Sequence, residues 1–446
     1  MSATTQVHWK RRVSDLLRGE RVLTHNLIVG AGTIAAGILG VAFQSLISHQ
    51  LRPADYGGAF AVVTLITFIG LPASAFTLVM ARETSRGRGS GHQASSAALL
   101  RGAKRTLLLL GVVLGGAIAT GSMLLSRFLE VPVELLLAAS VGIPFGLVLP
   151  LLLGELQGAE RFTDYAILST GQAALKLLAA IALGVFFGPL GVIAGISAAT
   201  ITAYAIALRM VRRKLSIHSS LPWLRPAAKY LAIALPSTLA LAVLLSSDVL
   251  LVKHYFSTGA AGEYAAVAAI GRAIFWGASG VAIVLFPKVA FRSSQGRSGI
   301  QLVAASLLLV AIGGVTGLLL LAFSSPWLVK AFAGSAYIGG AAYLPWYAIG
   351  MVLLGAAAVL IATHQSNGRP GFLAILLPLA ALEPILIAFY HQSLLQVIQM
   401  VDISMGLVAV ALTGWYVVDE RSAAVTSSVS AVPANIQATP QLQVNR

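Results

Sequence analysis

Twelve long apolar runs, each ended by charged or turn residues, constrain this chain more than any other feature. They fall at about 26 to 49, 59 to 81, 106 to 126, 134 to 154, 163 to 186 and 188 to 208, then at 230 to 252, 263 to 286, 301 to 323, 341 to 363, 371 to 390 and 394 to 417. A membrane-crossing helix takes about 20 apolar residues, so these runs and their short connections use up most of the 446 residues. The runs are too long for strands and lack the alternation of a barrel. Helices satisfy their own backbone hydrogen bonds in hydrocarbon. The fold class expected is an all-α membrane protein with 12 transmembrane helices. Composition agrees: 10% of residues are charged, against roughly 25% in soluble chains, and mean hydropathy is +0.87. A soluble fold is excluded, and no sizeable soluble catalytic domain fits. No cysteine occurs, which excludes disulfides, thiolate zinc sites and thiol nucleophiles.

Charge placement orients the spans. The net charge of +15 comes from 30 Lys and Arg against 15 Asp and Glu. With twelve spans, only Arg52, Arg127, Lys253 and Lys330 fall on the side opposite the termini, and Lys176 and Arg272 fall inside spans. All other basic residues share the N-terminal side, so by the positive-inside rule both termini are expected in the cytoplasm. A missed or invented span would scramble this split. Residues 1–25 form a basic cytoplasmic segment, in which 7–23 reads either as a basic amphipathic helix on the membrane or as a solvated leader. Residues 418–446 are expected to be a disordered cytoplasmic tail.

The chain also repeats itself. At an offset of 208 residues, DYGGAFAVV from Asp55 falls on EYAAVAAIG from Glu263, and QGAERFTDYAIL from Gln157 falls on QSNGRPGFLAIL from Gln365. Tyr56 is thereby matched with Tyr264, and Arg161 with Arg369, each at the junction that a six-plus-six duplication requires. Six spans per half is even, which makes the halves parallel repeats about an axis along the membrane normal. The expected organisation is an N-lobe over 26–210, a cytoplasmic linker over 211–229 and a C-lobe over 230–417. The two pseudo-symmetric lobes should surround a central cavity and alternate access by rocking.

Ionisable residues inside spans are the candidate site, because each costs about 2.5 to 3.5 kcal/mol at a helix centre. Tyr165, Ser169, Gln172 and Lys176 recur at helical spacing on one face of the fifth span. That face is expected to look into a substrate cavity, with a structural lysine paired to a neighbouring helix as the rival reading. Arg272, among small residues in the eighth span, needs either an anion in the cavity or a structural partner, and Asp248 at the outer part of the seventh span is the candidate partner. Glu383, flanked by Pro378 and Pro384, is a candidate for ion coupling or an ion pair. Asp402 and Gln44 are weaker candidates. No phosphate loop, His-Glu-x-x-His helix or Gly-x-Ser-x-Gly elbow occurs, so no catalytic residue, cofactor or metal is expected, and the chain is read as no enzyme.

Several junctions carry a family resemblance. LISHQLRPADYGGAFAVVTLI, LLLGELQGAERFTDYAILST and FGPLGVIAGISAATITAY in the first half resemble the polysaccharide flippases of the multidrug/oligosaccharidyl-lipid/polysaccharide (MOP) exporter superfamily. LPSTLALAVLLSSDVLLVKHYFS, AAGEYAAVAAIGRAIF and LVKAFAGSAYIGGAAYLPWYAIGMVLL in the second half are similar to the same family. The resemblance spans runs one to eleven. It implies transport of a polyprenyl-pyrophosphate-linked oligosaccharide to the outer leaflet of the bacterial cytoplasmic membrane, for surface polysaccharide biosynthesis. Lipid-linked oligosaccharide and membrane lipids are the implied partners, with glycan polymerase and glycosyltransferases nearby and no nucleic acid. It also implies a cationic cavity, with which Lys176 and Arg272 are consistent.

Rival readings differ at specific features. Lipid II flippases of the superfamily usually have fourteen spans, two more than here. A multidrug efflux antiporter of the same superfamily would need cavity carboxylates more than cavity cations. Major facilitators usually carry an Asp in the loop between spans two and three, and RETSRGRGSGHQ has none. An intramembrane glycan polymerase or ligase usually has a large outer loop, and the longest here is short. Moving two headgroup charges outward across 100 mV is worth about 4 to 5 kcal/mol, so export driven by the membrane potential, with Glu383 secondary or structural, is the expected coupling.

Overall fold

The computed structural model describes residues 31–89, 93–216, 227–294 and 300–430, and all of their regular structure is helical. The first half runs α1 (Ala31–Gln50), α2 (Pro53–Gly70), a 3-10 turn (Leu71–Ser74), α3 (Ala75–Gly89), α4 (Gln93–Thr120), α5 (Ser122–Leu129), α6 (Val133–Gly158) and α7 (Phe162–Leu215). The second half runs α8 (Ala228–Leu244), α9 (Ser247–Tyr255), α10 (Thr258–Ser294), α11 (Ile300–Ala333), a 3-10 stretch (Ser335–Tyr343), α12 (Leu344–Asn367), α13 (Leu373–Phe389) and α14 (Leu394–Ser430). Among the described residues, nine helical stretches are long and apolar enough to cross a membrane. With α7 counted as two spans, and with α10 and the 17-residue α13, they make the twelve spans read from the sequence. The chain is a multi-pass membrane protein.

Alpha-7 is two spans because Gly188 breaks it. Its φ of 56° and ψ of −137° are open to glycine and hostile to other residues, and Pro189 follows at once. The chain doubles back so tightly that a Cβ on Gly191 would run into the Leu183 carbonyl. Gln50 of α1 closes this end by donating to the Ile181 carbonyl at 3.3 Å.

The helices are inside-out relative to those of a water-soluble bundle. On α1, Phe43 and Ile47 face the core while Ile34, Ile38 and Val41 face outward. On α11, Leu308, Ile312, Val315, Leu319 and Phe323 make an outward apolar stripe, with Phe323 88% exposed. Such a surface would aggregate in water and is solvated by lipid.

The two halves touch through repeat-related elements. Alpha-2 and α10 cross where Gly57 meets the backbone of Gly262, and a side chain on Gly262 would collide with the Pro53 carbonyl. At the same end the Tyr337 hydroxyl donates to the carbonyls of Ser48 (3.1 Å) and Leu51 (2.9 Å), and Ser45 donates to the Phe332 carbonyl at 2.7 Å. These contacts tie the two halves together at this end. Near the opposite end, which carries Arg82, Arg88, Arg161 and Arg213 and is called the basic end below, Arg82 of α3 lies over the Tyr230 ring of α8 at 5.1 Å. The matched arginines occupy matched places there: Arg161 precedes α7 and pairs with Asp164 at 2.6 Å, while Arg369 precedes α13 and pairs with Asp419 at 2.6 Å.

Alpha-14 remains helical to Ser430, beyond the expected end of the last span at 417. The basic segment over 1–25, most of the linker over 211–229 and the last part of the tail, 431–446, lie outside the described residues.

Candidate functional site

Two breaks within spans and one tight turn between spans shape the interior. The 3-10 turn at Pro72 interrupts the span formed by α2 and α3, the Gly188 hairpin divides α7, and a break at Leu245 and Ser246 separates α8 from α9. Next to the first of these lies a cavity of about 290 Å³, lined by α2, the 3-10 turn, α6 and both arms of α7. Its walls are mostly apolar, including Val63, Ile66, Ile143, Leu147 and Ile196. Lys176 is the one ionisable side chain in the lining, and Gln172 stands one turn before it.

The Lys176 ammonium sits 4.4 Å from the centre of the Phe43 ring. A ring face attracts a cation by about 0.5 to 2 kcal/mol, which holds the side chain without neutralising it. Among the described residues no carboxylate reaches Lys176. The hydroxyls in the lining point their protons elsewhere: Thr67 donates to the Val63 carbonyl (2.9 Å), Ser197 to Ala138 (2.7 Å) and Thr200 to Ile196 (2.8 Å). They present lone pairs to the cavity. Lys176 and the Gln172 amide supply its donors.

Arg272 lies in a different environment. Its guanidinium donates to Asp248 at 2.9 Å and to the Tyr347 hydroxyl at 3.2 Å, and the Phe60 ring of the first half faces it at 5.6 Å. Asp248, 1% exposed, also accepts from Tyr264 (3.1 Å) and Tyr347 (2.8 Å). The α8–α9 break puts Asp248 in the first turn of α9, where a carboxylate is favoured by the helix dipole. The structural ion pair read as one of two alternatives for Arg272 is thus formed. Glu383 is fully buried nearby and accepts from Ser247 at 2.7 Å, while its Oε2 and the Ser246 hydroxyl have no hydrogen-bond partner among the described residues.

The structure therefore brings Gln172 and Lys176 together at the cavity and leaves their predicted companions out of its lining. Ser169 donates to the Ala166 carbonyl at 3.2 Å, and Tyr165 packs on the apolar cluster toward the basic end. Asp402 is packed against Gly350 on α12, and Gln44 accepts from Tyr56 at 3.4 Å. Sequence reasoning missed Phe43, Ser247 and Tyr347. Tyr264 was marked only by its match to Tyr56, and nothing in the local sequence distinguishes Phe43 or Tyr347 from ordinary core aromatics.

No protein-family model matches the chain, and no curated protein is similar to it in sequence. Solved structures are. An inward-facing multidrug resistance MATE family transporter of the MOP superfamily matches with TM-score 0.70 and 13% identity, over 91% of this chain and 99% of that one. The lipid II flippase MurJ in an inward closed conformation matches with TM-score 0.68 and 12% identity, over 90% of this chain and 91% of that one. A MOP superfamily transporter from Pyrococcus furiosus, described as having a binding pocket of reverse polarity that suggests a different function, matches with TM-score 0.59 and 14% identity over 91% and 95%. The chain has the fold of the MOP transporters, which is the fold class its sequence resemblance implied.

Proposed function

We propose that this protein is a flippase that carries a polyprenyl-pyrophosphate-linked oligosaccharide from the inner to the outer leaflet of a bacterial cytoplasmic membrane, with no catalytic chemistry of its own. The observation that carries the reading is Lys176, a cation over a ring face that no described carboxylate neutralises, as the one charge lining a mostly apolar cavity. An anionic phosphate headgroup is complementary to it. The lone pairs of Thr67, Ser197 and Thr200 suit a ligand that brings hydroxyl donors, as a sugar does. A cationic drug would meet a like charge and no carboxylate there, which disfavours the efflux reading, although the fold is shared with both MATE and MurJ.

The reading places the basic end in the cytoplasm. Reporter fusions after Val131 and Ser335 should lie outside, and fusions after Gly91 and His218 inside. In proteoliposomes a fluorescent polyprenyl-pyrophosphate sugar should change leaflet and cationic dyes should not. Movement of dyes alone would replace the flippase by an efflux pump, and polymerisation or ligation of the sugar by the purified protein would replace it by an enzyme.

A further inference from the structure

A second cavity, also of about 290 Å³, opens at the basic end of the first half, where the last turns of α3, α6 and α7 converge. It is separate from the Lys176 cavity and shares no lining residue with it. Its polar lining holds Arg88, Arg161, Arg213 and Lys214 against one carboxylate, Glu155, with the Thr84 hydroxyl beside them. Leu156, Ala159, Met210 and Val211 give it an apolar floor.

Two of the cations are already fixed in place. Arg88 donates through one Nη to the Ala159 carbonyl, and Arg161 donates through Nη1 to the Met210 carbonyl at 2.6 Å. Each brace ties down a helix end, as a basic side chain at a C-terminus does, and it also holds a guanidinium at the cavity with N–H groups to spare. Thr84 donates to Glu155 Oε2 at 2.5 Å, and Lys214 stays 3.9 Å from Glu155 Oε1, too far for a hydrogen bond. Glu160, 3.8 Å from Arg88, and Asp164, 2.6 Å from Arg161, stand at the rim. Counting both rim carboxylates together with Glu155, the four cations still leave one positive charge in excess.

We propose that this niche binds the phosphate of an anionic membrane phospholipid, with the phosphodiester monoanion against Arg213 and Lys214 and the start of the acyl region against the partly exposed Ala159 and Met210. The single surplus charge matches a phosphodiester, and basic pockets between membrane helices on this kind of surface hold lipid phosphates. The partly exposed Ala159 and Met210 favour a lipid over a soluble ion. Because the niche is independent of the Lys176 cavity, the proposal stands or falls separately from the transport reading.

The test is the melting temperature of the full-length protein in detergent, titrated with dihexanoyl-phosphatidylglycerol, dihexanoyl-phosphatidylcholine or inorganic phosphate. The phosphatidylglycerol should raise the melting temperature, and the other two should not. Arg213→Gln/Lys214→Gln, which leaves both helix-end braces in place, should need at least about tenfold more phosphatidylglycerol for the same rise. Lys330→Gln at the opposite end should respond as the wild type does. Should the double variant not fold, the single Arg213→Gln variant decides by the same measure. An equal response to phosphatidylcholine, an equal response to free phosphate, or a variant that titrates like the wild type would each overturn the lipid site and leave the cluster as helix-end bracing.

Discussion

The two halves of this molecule each carry a cation inside the membrane and treat it in opposite ways. In the first half, Lys176 borders a cavity with a ring beneath it and no described carboxylate in reach. In the second, Arg272 is matched by Asp248 and the Tyr347 hydroxyl, with Tyr264 donating to Asp248, in a packed core. An intramembrane charge that the protein itself neutralises belongs to the architecture, and one left for an outside partner belongs to the site. Removing one member of a buried pair strands the other, whereas removing an unpaired cavity cation strands nothing.

The largest contrast is therefore in stability. Asp248→Ala should destabilise the protein by about 3 to 5 kcal/mol, read as a lowered melting temperature and poor yield. The double change Asp248→Leu/Arg272→Met should recover most of that loss, since neither member of the pair is left stranded. An Asp248→Ala protein that melts like the wild type would erase the distinction between the halves.

Glu383 sharpens the comparison with a smaller effect. Its Oε1 bond from Ser247 survives in Glu383→Gln, and no hydrogen bond is lost at the Oε2 position, which has no partner among the described residues, so stability should stay within about 1 kcal/mol of the wild type. Transport in Glu383→Gln should persist and still slow when valinomycin and matched potassium collapse an imposed potential. Transport that ignores the potential and disappears in this variant would make Glu383 the coupling residue.

The sequence carried the architecture because lipid imposes a coarse rule on every span. Twelve apolar runs, a one-sided distribution of Lys and Arg, and an offset of 208 residues were legible without any contact; the matched Arg161 and Arg369 each precede a helix, but Arg161 pairs within its own helix and Arg369 pairs across to Asp419 on α14. The site was legible only in part. Helical periodicity put Tyr165, Ser169, Gln172 and Lys176 on one face, but a face in a straight helix does not show where a neighbouring helix leaves space. That space depends on the breaks at Pro72 and Gly188 and on how α2 and α6 pack against α7, so only Gln172 and Lys176 border it. The partner of Arg272 was one of two open readings because Asp248 lies 24 residues away in sequence, and only the break before α9 brings the carboxylate to the guanidinium. Phe43 was invisible because a ring under a lysine has the same sequence signature as any core ring.

The central claim is that Lys176 is held for an anionic headgroup rather than for the fold, and a charge series at this one position tests it most directly. Lys176→Met, Lys176→Arg and Lys176→Glu should each keep a melting temperature near the wild type, with a loss within about 1 kcal/mol for Met. Flipping of a fluorescent polyprenyl-pyrophosphate sugar in proteoliposomes should then fall at least about tenfold in Met, remain substantial in Arg and vanish in Glu. A well-folded Lys176→Glu protein that flips the sugar at the wild-type rate would contradict the account.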